Sequence, residues 1–297
     1  MDALVTGGLG FIGSNLVDFL VGKGWNVSVI DNLSTGSLNY KNPKANYIIK
    51  DLMDITQADT KDFDYIFHMA ALPRIQPSFD EPELHEMVNV VITIRLLETL
   101  KGNTRLKKLV YSASSSCYGT PENYPTTEEE HISILSPYAL QKYASEQYCL
   151  VLGERFNIPV VTLRYFNAYG PRSFNPENKQ NAYSSVVGIF DYQMKQNQPL
   201  TITGDGSQKR DFVHVFDIAN ANYLAAITDV KNDFFNIGYG QSFTILEIAK
   251  MFNHPYNFIA KREGEAEITF ADISKAKSKL GWSPNIDIFE GIKTYNT

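Results

Sequence analysis

A tyrosine and a lysine in the middle of the chain have the types and spacing to move a proton. Tyr138 and Lys142 are four residues apart, and positions i and i+4 of a helix lie on one face. A phenol with an ordinary pKa of about 10 is a poor base at neutral pH, but a nearby ammonium group favours its deprotonated form. The pair could therefore remove a proton from a hydroxyl group. The alternative is a packing pair on a helix surface.

A stretch rich in hydroxyl groups precedes this pair. Ser112, Ser114, Ser115 and Ser116 follow an apolar run, which we interpret as a strand from Lys108 to Ser112. Reactive groups of α/β proteins lie at the carboxyl ends of strands, where hydroxyls could bind a substrate oxygen. The alternative is a serine-rich loop that hydrogen-bonds to its own backbone.

A glycine-rich turn lies between the first predicted strand and the first predicted helix. Its candidate ligand-binding residues are Gly7, Gly10, Phe11, Ile12 and Gly13. Such a turn lets backbone N–H groups and the positive end of a helix approach a pyrophosphate. Its spacing is one residue longer than that of the standard dinucleotide motif. The alternative is a flexible turn between strand and helix.

An acidic residue ends the second predicted strand. Asp31 lies 18 positions after the last glycine of the turn, where a carboxylate can accept hydrogen bonds from both ribose hydroxyls of an adenosine. A carboxylate there repels a 2′-phosphate, so the pattern favours NAD over NADP. Asn32, Ser34, Thr35 and Gly36 continue the predicted cofactor loop. The alternative is that Asp31 caps this loop.

The elements that would position these residues alternate along the first two-thirds of the chain. Strands that alternate with helices predict a parallel sheet covered on both faces, the doubly wound (Rossmann-type) α/β arrangement. The predicted strands are Ala3 to Val5, Asn26 to Ile30, Asn46 to Ile49, Tyr65 to His68, Lys108 to Ser112 and Pro159 to Arg164. The predicted helices are Gly13 to Val21, Glu83 to Leu100 and Tyr138 to Phe156.

The pattern changes after about Gly170. Loops become longer, as in Pro171 to Asn181, and short helices are predicted at Asp217 to Ile227 and Thr244 to Phe252. We expect residues 1–170 to form a dinucleotide-binding domain to which some later segments return. Residues 171–297 should form mainly a smaller α/β lobe that binds the substrate.

Composition excludes several classes of protein. Lys and Arg number 27 against 33 Asp and Glu, a net charge of −6, which argues against a nucleic-acid partner. Cys117 and Cys149 are too few for a disulfide framework, and no apolar run is long enough to span a membrane. We therefore expect a cytoplasmic protein without a membrane partner. We also expect no metal site, because no two of the histidines at positions 85, 131, 214 and 254 are spaced as metal ligands usually are. These are His85, His131, His214 and His254.

Taken together, these motifs resemble the extended short-chain dehydrogenase/reductase superfamily and, within it, the UDP-glucose / UDP-N-acetylglucosamine 4-epimerase family. The resemblance covers nearly the whole chain. Besides the glycine turn, the serines and the Tyr–Lys pair, it is carried by Asp31 to Gly36, Asp51-Leu52, His68 to Ala71, Arg164 to Arg172 and Arg210 to Val215.

The resemblance implies NAD as cofactor, a UDP-sugar as substrate and a role for each matching residue. Ser114 and Tyr138 would flank the sugar 4-hydroxyl, and Lys142 would bind the nicotinamide ribose and lower the pKa of Tyr138. Further cofactor contacts would be Asp51, Leu52, Met69, Ala70, Ala71, Asn89, Ser112 and Tyr165. Substrate contacts would be Ser115, Ser116, Asn167, Ser185, Val186, Thr201, Arg210, Arg262 and Glu265.

The serine stretch favours one reaction of this superfamily over the others. Its 4,6-dehydratases carry an Asp-Glu pair after the catalytic hydroxyl, and its decarboxylases carry a Glu there. Ser115 and Ser116 occupy these places here, which leaves oxidation and return of hydride, that is, 4-epimerisation. Another enzyme of the same scaffold (dehydratase, decarboxylase or reductase) is the main alternative, and a non-catalytic nucleotide-sugar sensor is the third.

Two further expectations come from the resemblance. Thr269 occupies the position where hexose-specific members carry a bulky Tyr, which predicts that N-acetylated UDP-sugars are accepted. Glu263 and Glu265 depart from the family pattern, in which Pro and Asp are usual.

The helices Glu83 to Leu100 and Tyr138 to Phe156 carry apolar residues on more than one face, which predicts a homodimer through a four-helix bundle. The alternative is coverage by the smaller lobe.

Overall fold

The apolar runs of the amino-terminal part form strands that are buried on both faces. Ala3, Leu4 and Val5 are fully buried, as are Val160 and Val161 on a strand further along the chain. Strands enclosed on both faces are typical of parallel sheets covered by helices. The computed structural model describes residues 1–175, 185–262 and 264–296.

The strands and helices of the described residues alternate in the predicted way. The strands are β1 (Asp2–Thr6), β2 (Asn26–Asp31), β3 (Asn46–Ile49), β4 (Tyr65–His68), β5 (Lys108–Ser114), β6 (Val160–Tyr165), β7 (Asn167–Tyr169), β8 (Leu200–Thr203), β9 (Lys209–His214), β10 (Asp233–Ile237), β11 (Ser242–Thr244) and β12 (Tyr256–Ile259). The helices are α1 (Phe11–Gly22), α2 (Ile75–Asp80), α3 (Pro82–Glu86), α4 (Ile92–Thr99), α5 (Pro137–Phe156), α6 (Val186–Lys195), α7 (Val215–Ile227), α8 (Ile245–Met251), α9 (Ser274–Leu280) and α10 (Ile288–Lys293).

Seven of these strands form one parallel sheet. Its order is β3-β2-β1-β4-β5-β6-β10, and each neighbouring pair is parallel. The predicted doubly wound arrangement is therefore confirmed. The strand order reverses between β1 and β4, and ligands of such sheets bind in the crevice at the carboxyl ends of the strands beside this point.

Two smaller sheets are formed by strands that come after β6 in the sequence. β11, β9 and β7 form one, and β8 pairs with β12 in the other. They share a second apolar core with α6, α8 and α10, in which Tyr169, Phe190 and Ile248 are fully buried. β10 returns to the main sheet beside β6. The division of the chain into two domains at about Gly170 stays a prediction.

The long helix predicted from Glu83 to Leu100 is interrupted. α3 ends at Glu86, a π-helical turn spans Met87–Val91, and α4 begins at Ile92. A π-turn inserts an extra residue into a helix and commonly marks functional regions. Here it brings the side chain of Asn89 against the loop after β4, where it accepts a hydrogen bond from the backbone N–H of Leu72 at 2.8 Å.

Other predicted boundaries differ by a few residues. β5 continues to Ser114, so that the strand itself carries the first catalytic candidate. α7 begins at Val215 because the His214 ring accepts a hydrogen bond from the Phe216 N–H. Part of the loop predicted from Pro171 to Asn181 lies outside the described residues.

The described residues also bear on the predictions made from composition. They contain no helix long and apolar enough to cross a membrane. Across the same ranges, no three His, Cys, Asp or Glu side chains come together as metal ligands could. Cys117 and Cys149 are free thiols, and both are buried.

Candidate active site

A cavity of about 750 Å³ opens at the carboxyl ends of the main-sheet strands. It runs from the glycine turn, past the end of β5 and the start of α5, to the smaller sheets. The predicted residues that line it are Gly7, Gly10, Phe11, Ile12, Gly13, Asp31, Asn32, Ser34, Thr35, Leu52, Met69, Ala70, Ala71, Ser112, Ser114, Ser115, Ser116, Tyr138, Lys142, Tyr165, Asn167, Ser185, Val186, Thr201, Arg210, Arg262, Glu265 and Thr269. The structure thus brings residues from distant parts of the chain to one cavity.

The glycine turn at one end of the cavity has no room for side chains. Gly7 has φ +68°, and a Cβ atom there would lie 2.7 Å from the backbone of Ala70. A Cβ at Gly13 would lie 2.1 Å from the Gly7 carbonyl oxygen. Gly10 precedes α1 without a side-chain cap, and the first turn of α1 has no acidic residue. The helix end therefore presents positive N–H groups to an anion such as a pyrophosphate.

Asp31 holds the turn and lines the cavity. Its carboxylate accepts hydrogen bonds from the backbone N–H of Leu9 at 2.9 Å and of Leu33 at 2.8 Å. Burial raises the pKa of Asp31, and these two N–H groups oppose that rise. Asp31 therefore caps the loop, as the alternative interpretation predicted, and it also lines the cavity. The two are compatible, because each carboxylate oxygen has a second lone pair.

Three predicted cofactor residues do not line the cavity. Gly36 packs against the carbonyl of Leu9, which a Cβ would approach to 2.8 Å. Asp51 instead accepts hydrogen bonds from the Asn32 amide at 2.9 Å and from the Met53 N–H at 2.8 Å. These residues shape the loops around the cofactor end of the cavity.

Asn89 is the third of these residues. It is buried, and it bonds to the backbone of Leu72 and to the Gln141 amide oxygen at 3.2 Å. It therefore joins the loop after β4 to helix α5, rather than facing a ligand.

Ser114 and Tyr138 meet in the middle of the cavity. Burial raises the pKa of Tyr138, whereas the nearby Ser114 hydroxyl and the positive charge of Arg74 lower it. Ser116 lines the same cavity, and its buried Oγ has no hydrogen-bond partner within the described ranges. A hydroxyl-bearing ligand could supply that partner.

Lys142 lies on the same helix as Tyr138 but faces a different group. It is buried, and its ammonium lies 4.4 Å from the centre of the Tyr111 ring. Burial lowers the pKa of Lys142 to about 7. Burial and the charge of Lys142 together lower the pKa of His68 to about 3. That Lys142 acidifies Tyr138 stays a prediction.

The start of α5 is fixed by local capping and by a neighbouring helix. Pro137 is the first residue of the helix, a position that suits proline. Ser136 caps it by accepting from the N–H of Ala139 at 3.2 Å. The N–H of Tyr138 donates to Ser78 Oγ on α2 at 3.1 Å. These contacts set the position of Tyr138 relative to the cavity.

A buried ion pair fixes the middle of α5. Glu146 accepts from Arg164 on β6 at 2.9 and 2.5 Å, and both side chains are 2% exposed. Arg164 also donates to the Tyr118 hydroxyl at 2.7 Å, which in turn donates to Asn236 on β10. The network ties α5 to the strands beneath it.

We expect the Glu146→Gln variant to lose about 3–5 kcal/mol of stability, because it leaves the buried Arg164 charge uncompensated. Urea unfolding monitored by circular dichroism measures this loss. The matched control is Glu290→Gln, which removes the exposed ion pair with Lys293 and should cost less than about 1 kcal/mol. Equal effects in the two variants would contradict a special role of the buried pair.

Arginine and threonine side chains form the far end of the cavity. Arg210 donates to Glu265 at 3.3 Å. Burial lowers the pKa of Arg210, and the charge of Glu265 opposes this. Thr269 Oγ1 accepts from the Asn167 amide at 2.8 Å and from the Asp211 N–H at 3.1 Å. Glu263, which we also considered, lies outside the described residues.

Arg74 is one of the cavity residues that we did not predict from the sequence. It lies just before α2 and lines the cavity. It follows β4 by six positions. A cation shortly after a strand of a doubly wound sheet is the signal that could have revealed it, because ligands bind at the carboxyl ends of these strands.

Comparison with known proteins supports the same assignment. The model of the NAD dependent epimerase/dehydratase family matches residues 3–238. The chain belongs to this family. A UDP-glucose 4-epimerase of Mycolicibacterium smegmatis is 34% identical over 98% of this chain and 96% of its own length.

Solved structures of family members share the fold closely. A UDP-N-acetylglucosamine 4-epimerase from Methanobrevibacter ruminantium, in complex with UDP-N-acetylmuramic acid, has a TM-score of 0.91 and 35% identity, with 99% of this chain and 98% of that chain covered. A UDP-glucuronic acid 4-epimerase from Bacillus cereus, in complex with UDP-glucuronic acid and NAD, has a TM-score of 0.90 and 31% identity, with 100% and 98% covered. The fold is therefore that of a UDP-sugar epimerase over the full length of both chains.

The residues at the glycine turn fit NAD, the cofactor of this family. The uncapped start of α1 suits the pyrophosphate, and the glycines leave space that a Cβ at Gly7 or Gly13 would fill. The Asp31 carboxylate lines the cavity and can accept hydrogen bonds from ribose hydroxyls.

Proposed function

We propose that this chain is an NAD-dependent UDP-sugar 4-epimerase that interconverts UDP-GlcNAc and UDP-GalNAc, and also UDP-glucose and UDP-galactose, through a 4-keto intermediate. The observation that carries the proposal is that Ser114 and Tyr138 line one cavity together with the glycine turn. A hydroxyl and a phenol in the same cavity as the cofactor turn support a role for them in proton transfer.

The chain's own residues would move the proton and hold the sugar. Tyr138 removes the proton of the 4-hydroxyl, while Ser114 hydrogen-bonds to the same sugar oxygen. NAD, which the glycine turn and Asp31 would hold, would supply the hydride acceptor and donor for C4. Arg210 and Arg262 hold the diphosphate, to which guanidinium groups are well suited. A tightly held nucleotide and a loosely held sugar allow the keto sugar to rotate and present its other face.

The end of β5 supports epimerisation over elimination of water. Ser115 and Ser116 line the cavity directly after Ser114. Both carry hydroxyls, which are far weaker acids and bases than carboxylates and cannot readily abstract a proton from carbon. A 4,6-dehydratase or a decarboxylase on the same scaffold would need a carboxylate at this place.

Product analysis tests this proposal. Purified protein incubated separately with UDP-GlcNAc and UDP-glucose should form an isomer of unchanged mass in each case, without net formation of NADH. Chromatography of the UDP-sugars and absorbance of the reduced nicotinamide provide the two measurements. A product lighter by one water would replace the epimerase with a 4,6-dehydratase, and net formation of NADH would indicate a simple oxidation.

Thr269 is proposed to determine which sugars are accepted. It lines the cavity and is small enough to leave room for an N-acetyl group. We expect Thr269→Tyr to lower kcat/KM for UDP-GlcNAc by about 10–200-fold, the range of a steric change in a pocket, and to affect UDP-glucose much less. Steady-state kinetics with both sugars measure this.

Thr269→Ser is the matched control for this substitution. It keeps the hydroxyl that accepts from Asn167 and Asp211, so it should turn over both substrates as the original chain does. Equal losses for both sugars in the Tyr variant would show that the substitution damages the site instead of narrowing it.

A homodimer formed through α3 and α5 is a further part of the proposal. The apolar α3–α5 face consists of Leu84, Met87, Leu140, Tyr148 and Val151, all exposed in the single chain. Leu140, Tyr148 and Val151 lie on one face of α5 by helical spacing. A second copy that presents the same face would bury them, as expected for an isologous interface.

We expect the Val151→Glu variant to be a monomer, because the substitution places a charge in an apolar interface. Light scattering should then give half the mass of the dimer formed by the original chain. Val151 is 63% exposed in the single chain. Phe289→Glu is the control, since Phe289 on α10 is 56% exposed but lies outside the α3–α5 face. If only the Phe289→Glu variant changed mass, or if neither variant did, a dimer interface at the α3–α5 face would be contradicted.

The two thiols fit a reducing, cytoplasmic location, which we also propose. Cys117 and Cys149 are buried, and burial raises the pKa of both; that of Cys117 rises to about 12. Buried thiols with raised pKa values are unreactive. The net charge of −6 is likewise unfavourable for binding a nucleic acid.

A further inference from the structure

A chain of hydrogen bonds runs from the end of β1 to the π-helical turn. Thr6, the last residue of β1, bonds through its Oγ1 to His68 Nδ1 at 2.7 Å. His68 Nε2 bonds to the Oγ1 of Thr93 on α4 at 3.0 Å. Thr93 Oγ1 donates in turn to the carbonyl oxygen of Asn89, in the π-helical turn, at 2.8 Å. All four side chains are buried, so these bonds are shielded from solvent.

The direction of these bonds determines which nitrogen of His68 carries the proton. His68 is 1% exposed, and burial, with the charge of Lys142 as a smaller cause, lowers its pKa to about 3. The neutral ring has one donor nitrogen and one acceptor nitrogen. Thr93 gives its only hydroxyl proton to Asn89, so it accepts from the Nε2–H of His68. Nδ1 is then the acceptor, and the Thr6 hydroxyl donates to it.

Thr6 connects this chain of bonds to the loop after β4, of which residues 69–71 line the cavity. Its carbonyl oxygen accepts from the N–H of Met69 at 3.1 Å, and its Oγ1 accepts from the N–H of Ala70 at 3.4 Å. The backbone of Ala70 lies so close to the glycine turn that a Cβ at Gly7 would be 2.7 Å from it. Because the Thr6 hydroxyl gives its proton to His68, its lone pairs stay available to Ala70.

We propose that His68, as its neutral Nε2–H tautomer, is a positioning residue for cofactor binding, which fixes the Thr6 hydroxyl and through it the loop of residues 69–71 beside the glycine turn. The inference rests on the proposed function only in its cofactor, NAD, and not in Tyr138 as the base. At Ala70 and Ala71 the wall of the cavity consists of backbone and methyl groups. The bonds behind this wall therefore determine how closely it approaches a ligand.

Variants of Thr6 with and without a hydroxyl test this link. In Thr6→Val we expect NAD to leave the diluted holoenzyme about threefold to tenfold faster, the effect of about one lost hydrogen bond. Thr6→Ser keeps the hydroxyl and should release NAD as the original chain does. Thr162→Val is the matched control, because Thr162 on β6 is equally buried but its Oγ1 has no hydrogen-bond partner within the described residues. Its release of NAD should be unchanged. Rapid filtration and assay of the retained nucleotide measure these rates.

The tautomer of His68 is tested on the original chain. In the holoenzyme with nitrogen-labelled histidine, heteronuclear NMR should show a protonated Nε2 and an unprotonated Nδ1, unchanged between about pH 5 and 8; the His68→Asn variant identifies these signals by their loss. An Nδ1–H tautomer or an imidazolium in that range would overturn the inference. So would a Thr6→Val variant that releases NAD no faster than Thr162→Val, or a Thr6→Ser variant that releases it as fast as Thr6→Val. An original chain that keeps its NAD but forms no isomer would instead overturn the proposed function.

Discussion

The Tyr138→Phe variant should lose epimerase activity by a factor of at least about 10²–10⁴, the usual contribution of a positioned acid–base group. The change removes only the phenolic oxygen, so the ring still fills its place beside Ser114. The backbone bond to Ser78 is unaffected. NAD should remain bound, because the glycine turn and Asp31 are unchanged. Initial rates with UDP-GlcNAc and the NAD content of the purified protein measure the two outcomes.

Tyr143→Phe is the matched control. Tyr143 lies on the same helix, is partly buried and packs against the apolar core. It is not among the residues that line the cavity. The control should keep its activity. A Tyr138 variant as active as the control would show that another group takes the proton.

The Gly13→Ala variant should be purified with little or no NAD. A Cβ at this position would lie 2.1 Å from the Gly7 carbonyl oxygen and 2.9 Å from the Gly8 Cα. Both obstacles are backbone atoms, so the turn itself must open, at a cost of about 1–3 kcal/mol for overpacking. The displaced N–H groups then no longer converge on a pyrophosphate. NAD released by acid treatment and assayed enzymatically measures this, and we expect the NAD content to fall at least about tenfold, because the pyrophosphate loses its backbone donors.

Gly22→Ala provides the control on the same helix. Gly22 ends α1, and no atom outside its immediate neighbours lies within 4 Å of the added Cβ. Because alanine is the better helix former, stability should be equal or higher by up to about 1 kcal/mol. Its NAD content should equal that of the original chain. Full NAD content in Gly13→Ala would contradict the assignment of the turn as the pyrophosphate site.

Local patterns sufficed to predict the parts of the site that depend on near neighbours in the sequence. The glycine turn and Asp31 belong to one strand–helix–strand unit, and Tyr138 and Lys142 to one helix. Their positions in the cavity follow from the topology of a doubly wound sheet. The fold class was predictable for the same reason, because alternation of strands and helices determines it.

Contacts between distant residues were not predictable in the same way. The π-turn at Met87–Val91 depends on how Asn89 bonds to the loop after β4, which no periodicity reveals. β7, β8 and β12 are only three or four residues long, and such short strands are stabilised mainly by their partners. The hydrogen bond from the Tyr138 N–H to Ser78 likewise depends on how α2 packs against α5.

The most direct test of the central claim is the fate of the hydrogen on C4 of the sugar. UDP-GlcNAc labelled with deuterium at C4 should be converted to UDP-GalNAc that still carries the deuterium at C4, since the same hydride leaves and returns. Mass spectrometry and NMR of the product in ordinary water measure this. Product that has exchanged its deuterium for solvent hydrogen would contradict the account, because the inversion would then proceed without hydride transfer.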